Sequence, residues 1–229
     1  MRRFPRAAAL TATLLVAMPA PIAAASDARA GLPPIHPRRD VAVTYQVLPG
    51  SSVDGVQGPR RVQMFWTRGG RLLRIDPMGM PGYVIVDFPR RQMSLVLTAA
   101  HAYVQMPLDP RRTPGVLTLP PGTSMTRAGE ATIAGRRCTI WNIAAPQGSG
   151  TACLTVGGLM LRADGHGTAR EAGHSFAGAG GLQAIAVEYG PQNPALFAIP
   201  PGYHPFGLPH IPGAAAEGSA GAPPPTRAP

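Results

Sequence analysis

Arg136-Arg137-Cys138-Thr139-Ile140-Trp141-Asn142-Ile143, a short loop, and Thr151-Ala152-Cys153-Leu154-Thr155-Val156 decide how this chain is read. Both runs read as β-strands, rich in the β-branched and aromatic residues that suit a pleated surface. Cys138 and Cys153 are the two cysteines of the protein. They lie symmetrically about a turn centred near Ala145 and Pro146. The runs are therefore expected to pair as an antiparallel hairpin that sets the thiols opposite each other, close enough for a disulfide. In that pairing Trp141 and Ile143 share a face with Thr139, and Cys138 and Ile140 point the other way. The spacing is not C-x-x-C, so the bridge is expected to be structural rather than redox-active.

A disulfide implies an oxidising compartment, and the N-terminus agrees. Arg2, Arg3 and Arg6 form a basic segment, Ala7 to Ala17 an apolar one, and small residues lead to Ala23-Ala24-Ala25. This is the pattern of an export signal over residues 1–25, cleaved near Ala25 or, at a second A-x-A, near Ala30. The competing reading is a membrane anchor, but Pro19 and Pro21 interrupt an already short apolar run. Arg2-Arg3 hints at twin-arginine export, whereas Phe4-Pro5 fits that pattern poorly. The expected location is the periplasm.

Of the 229 residues, 28 are Gly and 28 Pro, and only 14% are charged, which favours turns and short strands over long helices. Formal net charge is +10, and the leader's three arginines account for part of it. No lysine is present. Arg-Arg doublets start at Arg38, Arg60, Arg90, Arg111 and Arg136. Scattered as they are, they read first as a solvated rim and second as a route to peripheral contact with anionic lipid. An exported chain without a recognised binding motif is a poor candidate for nucleic acid.

Residues 26–39 form a Pro-rich lead-in. A domain over 40–204 follows, and residues 205–229, dominated by Pro, Gly and Ala, read as a disordered tail. Period-two alternation starts with Val41, Val43, Tyr45 and Val47. Strands then follow at 62–67, 72–76, 83–88, 93–98 and 101–107, with Gly69-Gly70 as a two-residue hairpin turn. Residues 107–134 read as a Pro- and Thr-rich connection, with at most a helical turn near 115–119. Beyond the hairpin, strands are expected at 159–163 and 182–189, separated by a flexible glycine loop over 165–181. The fold class is mainly β, a single curved antiparallel sheet in an open half-barrel with little helix.

Several of these strands are apolar on both faces and need a second layer or an apolar ligand to cover them. Met64, Trp66, Ile85, Leu95, Val104 and Trp141 are the expected lining of a concave ligand face. Catalytic signatures are weak. His36, His101, His166, His174, His204 and His210 show no metal-ligand spacing. Met78-Gly79-Met80 has the look of a soft-metal pair, but strand methionines are more commonly core or adaptable lining. Asp76, Asp87 and Glu188 lie on strands without a visible partner, and no G-x-S-x-G or P-loop is present. The chain is expected to be non-catalytic, without cofactor or metal.

Tyr83-Val84-Ile85-Val86-Asp87, Met93-Ser94-Leu95-Val96 and Ala102-Tyr103-Val104-Gln105-Met106-Pro107 resemble stretches of lipoprotein-carrier-like (LolA/LolB-like) domains of bacterial envelope proteins. More narrowly, they resemble the DUF4412-type periplasmic families of alphaproteobacteria. Further matching stretches are Gly135 to Trp141, Ala152 to Thr155, Gly158 to Ala163 and Tyr189 to Tyr203. The resemblance covers about residues 40–205. It implies a half-barrel whose concave face binds a lipid, a lipoprotein acyl chain or another apolar ligand. The helices that plug such a half-barrel have no counterpart in this sequence. The alternative is a protein–protein interaction or envelope-sensing module, with a fully packed sheet and an envelope protein as partner.

Overall fold

The computed structural model describes residues 32–53, 55–67, 69–109, 118–171 and 174–206. The export signal, the helical turn near 115–119 in its greater part, the Arg111-Arg112 doublet and all of the tail beyond Phe206 lie outside these residues.

The chain folds as one large, open, mainly antiparallel sheet. In order the strands are β1 (Val41–Val47), β2 (Ser52–Val53), β3 (Val56–Gln57), β4 (Arg61–Thr67), β5 (Leu72–Pro77), β6 (Tyr83–Asp87), β7 (Gln92–Leu97) and β8 (Ala102–Pro107). After them come β9 (Ser124–Ile133), β10 (Arg136–Ala145), β11 (Gly148–Leu154), β12 (Met160–Glu171), β13 (His174–Tyr189) and β14 (His204–Pro205). One 3₁₀ turn, Pro194–Phe197, is capped by the Asn193 side chain, which accepts from the Ala195 amide. No helix among the described residues is long and apolar enough to cross a membrane.

The spatial order β14-β8-β7-β6-β5-β4-β1-β13-β12-β11-β10-β9 puts β1 at the centre. It pairs with β4 on one side and β13 on the other. The two meanders are therefore joined through β1 and not, as the sequence suggests, through residues 107–134. That stretch instead runs from β8, near one border of the sheet, to the outermost strand on the other side, and it contains the ten-residue strand β9. Its apolar residues are sparse, and a bulge opposite Ile140/Trp141 breaks the alternation that would have marked it.

Residues 165–181 are the second correction. Residues 165–171 and 174–181 are not a loop but the extended ends of β12 and β13, paired from Arg162↔Gln183 to Glu171↔His174. Glycine and alanine carry no apolar period, yet they keep the backbone groups that make a ladder. A smaller difference concerns Gly69-Gly70: Thr67 pairs with Leu72, so the loop has four residues, and both glycines are left-handed (φ 65° and 80°).

The disulfide forms, with Cys138 and Cys153 at a Cα–Cα separation of 5.3 Å. The register is two residues away from direct opposition. Ile140 faces Cys153 and Ala145 faces Gly148, so the half-cystines span a diagonal. Ala145-Pro146-Gln147-Gly148 makes the turn, and Pro146 takes the second position, where its fixed φ is wanted.

Along the centre of the sheet one face is buried by Val41, Val43 and Tyr45 of β1, Val62, Met64 and Trp66 of β4, Leu73 of β5 and Val86 of β6. Cys138, Cys153, Leu159, Leu161 and Ala184 belong to the same core. The lead-in packs here too. Pro37 is fully buried, His36 lies against Trp66 and Phe88 (ring centroids 5.2 and 4.2 Å), and the Arg38 amide donates to the Gly157 carbonyl at 2.9 Å. On the reverse face Tyr83, Ile85 and Val96 meet Tyr103, Ile199 and Tyr203. Arg74 ties that layer down: it bonds Asp76 (2.7 Å), donates to the Leu196 carbonyl (3.2 Å) and stacks over Tyr83 at 3.5 Å. Apolarity on both faces of the first meander is thus answered by the chain's own two ends.

The disulfide closes a loop of 15 residues within this core. Reduction, or Cys138→Ser with Cys153→Ser, is expected to lower unfolding stability by about 3 kcal/mol, read by urea denaturation with and without dithiothreitol. An unchanged midpoint would show that the hairpin is held without it.

Candidate functional site

Strand ends around Val47, together with Ile35 of the lead-in, frame an open cavity of about 1240 Å³. Its wall follows from register. Val47, Leu182, Ala163, Ala152 and Trp141 stand in one cross-strand row, since each pairs with the next. Two residues further out, Gly180, Gly165, Gly150, Ile143 and Met125 form a second row. Gly178, Gly167, Gly148 and Ala145 form a third. Side chains two apart on a strand share a face, so all three rows look the same way. The outer two rows carry glycine on three adjacent strands, and there the floor is bare backbone.

These glycines are required by the sheet itself. A Cβ at Gly148 would sit 2.2 Å from the His166 carbonyl oxygen, and one at Gly150 2.3 Å from that of Asp164. One at Gly165 would lie 2.6 Å from the Ser149 oxygen. At these positions the neighbouring backbone leaves no room for a Cβ. The bland explanation, curvature, and the functional one, a smooth hollow, therefore coincide.

The small β2–β3 hairpin borders the hollow, paired to β13 at Gly178 and Ala179. Ser51 fixes its base: its Oγ donates to the Leu48 carbonyl at 2.6 Å and accepts from the Gly181 amide at 3.0 Å. Val56, Met78, Met80, Leu119 and Pro120 complete the mouth. Among the described residues the ionisable ones in the lining are Asp164 and His166, both in the alternate series whose side chains stand on the outer face. Asp164 is bonded there to Arg162 at 3.1 Å. No group of three or more His, Cys, Asp or Glu able to hold a metal occurs among the described residues.

The residues expected to line a ligand face are divided. Met64, Leu95 and Val104 share one cross-strand row through Ile75 and Val84, and Trp66 heads the next. Met64 and Trp66 are buried at the closed end, beside Ile35, Pro37 and Leu159. Ile85 pairs with Arg74 and Ser94 and faces the reverse layer, so it does not share a face with Met64. Trp141 is half-buried and pairs with Ala152, but the cavity lining passes to Ile143 and Met125 without it. The glycine rows and Ile143, Met125 and Leu182 were missed. The only signal for them was the even spacing of Gly148/Gly150, Gly165/Gly167 and Gly178/Gly180.

Between the closed end and the cavity stands Tyr45. Its hydroxyl donates to the Met160 carbonyl at 2.7 Å, linking β1 to β12. Burial, with a smaller contribution from Tyr189, pushes its phenol well above the ordinary value. The folded chain therefore keeps a proton that the unfolded chain releases from about pH 10. Stability is whole below that pH and falls as pH rises through the alkaline range. Tyr45→Phe is expected to cost about 1 kcal/mol at neutral pH and to flatten the alkaline decline, measured by urea unfolding at pH 7 and pH 10.5. Parallel pH profiles for the two proteins would refute this role.

No family model matches the chain. No curated protein matches it either. Among solved structures it is similar to MucB in complex with MucA(peri), at 14% identity and TM-score 0.41, over 70% of this chain and 54% of that one. A structure of MucB alone shows 17% identity and TM-score 0.44, over 72% and 58%. The Pseudomonas aeruginosa MucA/MucB complex gives 14% and 0.42, over 70% and 56%. The chain spans little more than half the length of these structures. At TM-scores below 0.5 the likenesses bear on neither family nor activity.

Proposed function

We propose that this is an exported, non-catalytic envelope protein that binds a lipid acyl chain or a similar apolar ligand in the cavity at the open end of its sheet. One observation carries the reading: a cavity of about 1240 Å³ whose inner rows are glycine, alanine, Leu182, Ile143, Met125 and Val47. Ligand pockets are typically hollows of roughly 300–1,000 Å³ with mainly apolar walls and few polar groups. Methionines in its lining (Met78, Met80, Met125 and Met160) suit an occupant of variable shape. The disulfide fits an oxidising compartment, and the resemblance to lipoprotein-carrier-like domains points the same way.

The rival reading, an interaction or sensing module for an envelope protein, draws on β9. It ends the sheet and has no strand beyond it among the described residues. Such an edge offers backbone groups to an extended partner, though the bulge near Gly129 and the exposed Arg127–Glu130 pair guard this one.

Titration of the chain with a fluorescent fatty acid separates the two. Saturable uptake is expected, weakened roughly tenfold or more by Ile143→Asp, which sets a charge on the apolar wall. Native mass spectrometry of protein purified from the envelope is expected to show a co-purifying acyl species. No uptake and no such species would defeat the lipid reading and leave the interaction module.

A further inference from the structure

The cavity mouth has chemistry of its own. Val56 is 72% exposed, Met78 50% and Met80 57%, and all three border the opening. One exposed apolar side chain needs no explanation, but a cluster at one opening marks a contact surface. Positive charge stands beside it. The Met78 amide donates to the Arg61 carbonyl at 3.0 Å, and the Val47 amide to the Arg60 carbonyl at 2.9 Å. These bonds put the Arg60-Arg61 doublet on the same rim. Both arginines are exposed, and neither meets a carboxylate among the described residues. The Arg90-Arg91 doublet differs: it lies at the opposite strand ends, and Arg90 is bonded to Asp87 at 2.9 Å.

From this pairing we infer that the mouth docks on a bilayer containing anionic phospholipid. Val56, Met78 and Met80 enter the boundary between headgroups and acyl chains, and Arg60 and Arg61 meet the phosphates. Neither half suffices. A few apolar side chains bind a bilayer weakly, and two arginines alone hold a protein only electrostatically; stable peripheral binding takes both kinds of contact. The inference rests on the rim and not on what the cavity holds.

The test is co-flotation of the chain with vesicles of phosphatidylcholine alone and of phosphatidylcholine with phosphatidylglycerol. Binding to the anionic vesicles is expected, weakened roughly thirtyfold by R60A/R61A. M78S/M80S is expected to weaken it also, with thermal unfolding little changed because both side chains are half exposed and outside the buried core. R90A/R91A is the control and is expected to bind as the parent does. Equal binding to both vesicle types would overturn the proposal, as would equal losses from the two arginine variants. Fatty-acid uptake by the same proteins keeps the questions apart. Uptake without flotation defeats docking alone, and flotation without uptake defeats the cavity reading alone.

Discussion

Strand β1 is the constraint on which the rest depends. Val41, Val43 and Tyr45 are buried on one face of a strand that has β4 on one side and β13 on the other. The other backbone joints between the two halves are short: the two-residue β2–β13 pairing and the Arg38–Gly157 bond. Slipping β1 by one residue would turn all three apolar side chains out of the core and take both halves of the sheet with them. A bulge at Thr44/Tyr45 against β13 adds local twist where the two meanders meet. Tyr45 then reaches across to Met160, so the same strand holds the second meander by a hydrogen bond as well as by ladder pairing.

From that centre the sheet has two unlike ends. At one, Ile35, His36 and Pro37 of the lead-in meet Trp66, Phe88 and Leu159, and the glycine at 158 allows the contact. Its φ is +84°, and a Cβ there would lie 2.3 Å from the His36 carbonyl oxygen. Large side chains fill that end. At the other, residues on three successive strands shrink to glycine and the wall recedes to backbone. The sheet curves in both places, but only the first has the volume of side chain needed to fill the curve. A hollow at the glycine end is what close packing leaves when the inner residues are too small to meet.

How much of this was legible depends on what the residues advertise. Alternation in 41–47, 62–67, 83–87 and 92–97 is strong because half-buried strands must alternate, and those strands were read near their observed bounds. The cysteine pair fixed one hairpin, and only a diagonal rather than a direct pairing had to be corrected, because Pro146 and not Ala145 leads the turn. The glycine-rich stretch was opaque for a physical reason. Apolar period reports side-chain burial, and Gly165, Gly167, Gly178 and Gly180 have no side chain to bury, so strands built from them look like linker. β9 was hidden by its bulge, and the lead-in by its prolines, although Pro37 is among the most buried residues in the protein. The cavity lies in the stretches least readable from sequence, which is why Met64 and Trp66, advertised by their size, sit in the core instead.

That inversion follows from what large side chains do. A tryptophan or methionine on a concave strand is drawn into the core wherever the chain supplies a covering segment, and residues 32–37 supply one here. Solvent-accessible space survives only where side chains are too small to fill it. In a strongly coiled sheet the lining of a hollow is therefore better sought among evenly spaced glycines on neighbouring strands than among conspicuous aromatics. The spacing Gly148/Gly150, Gly165/Gly167 and Gly178/Gly180 carries that information, since an interval of two keeps all six on one face. The large apolar groups then belong either to the closed end, as Trp66 does, or to the rim, as Met78 and Met80 do. Those two places ask for different things: the closed end for shape and the rim for adaptability. Trp66 lies nearly parallel to Phe88 with centroids 5.9 Å apart, and the two methionines stand half in water.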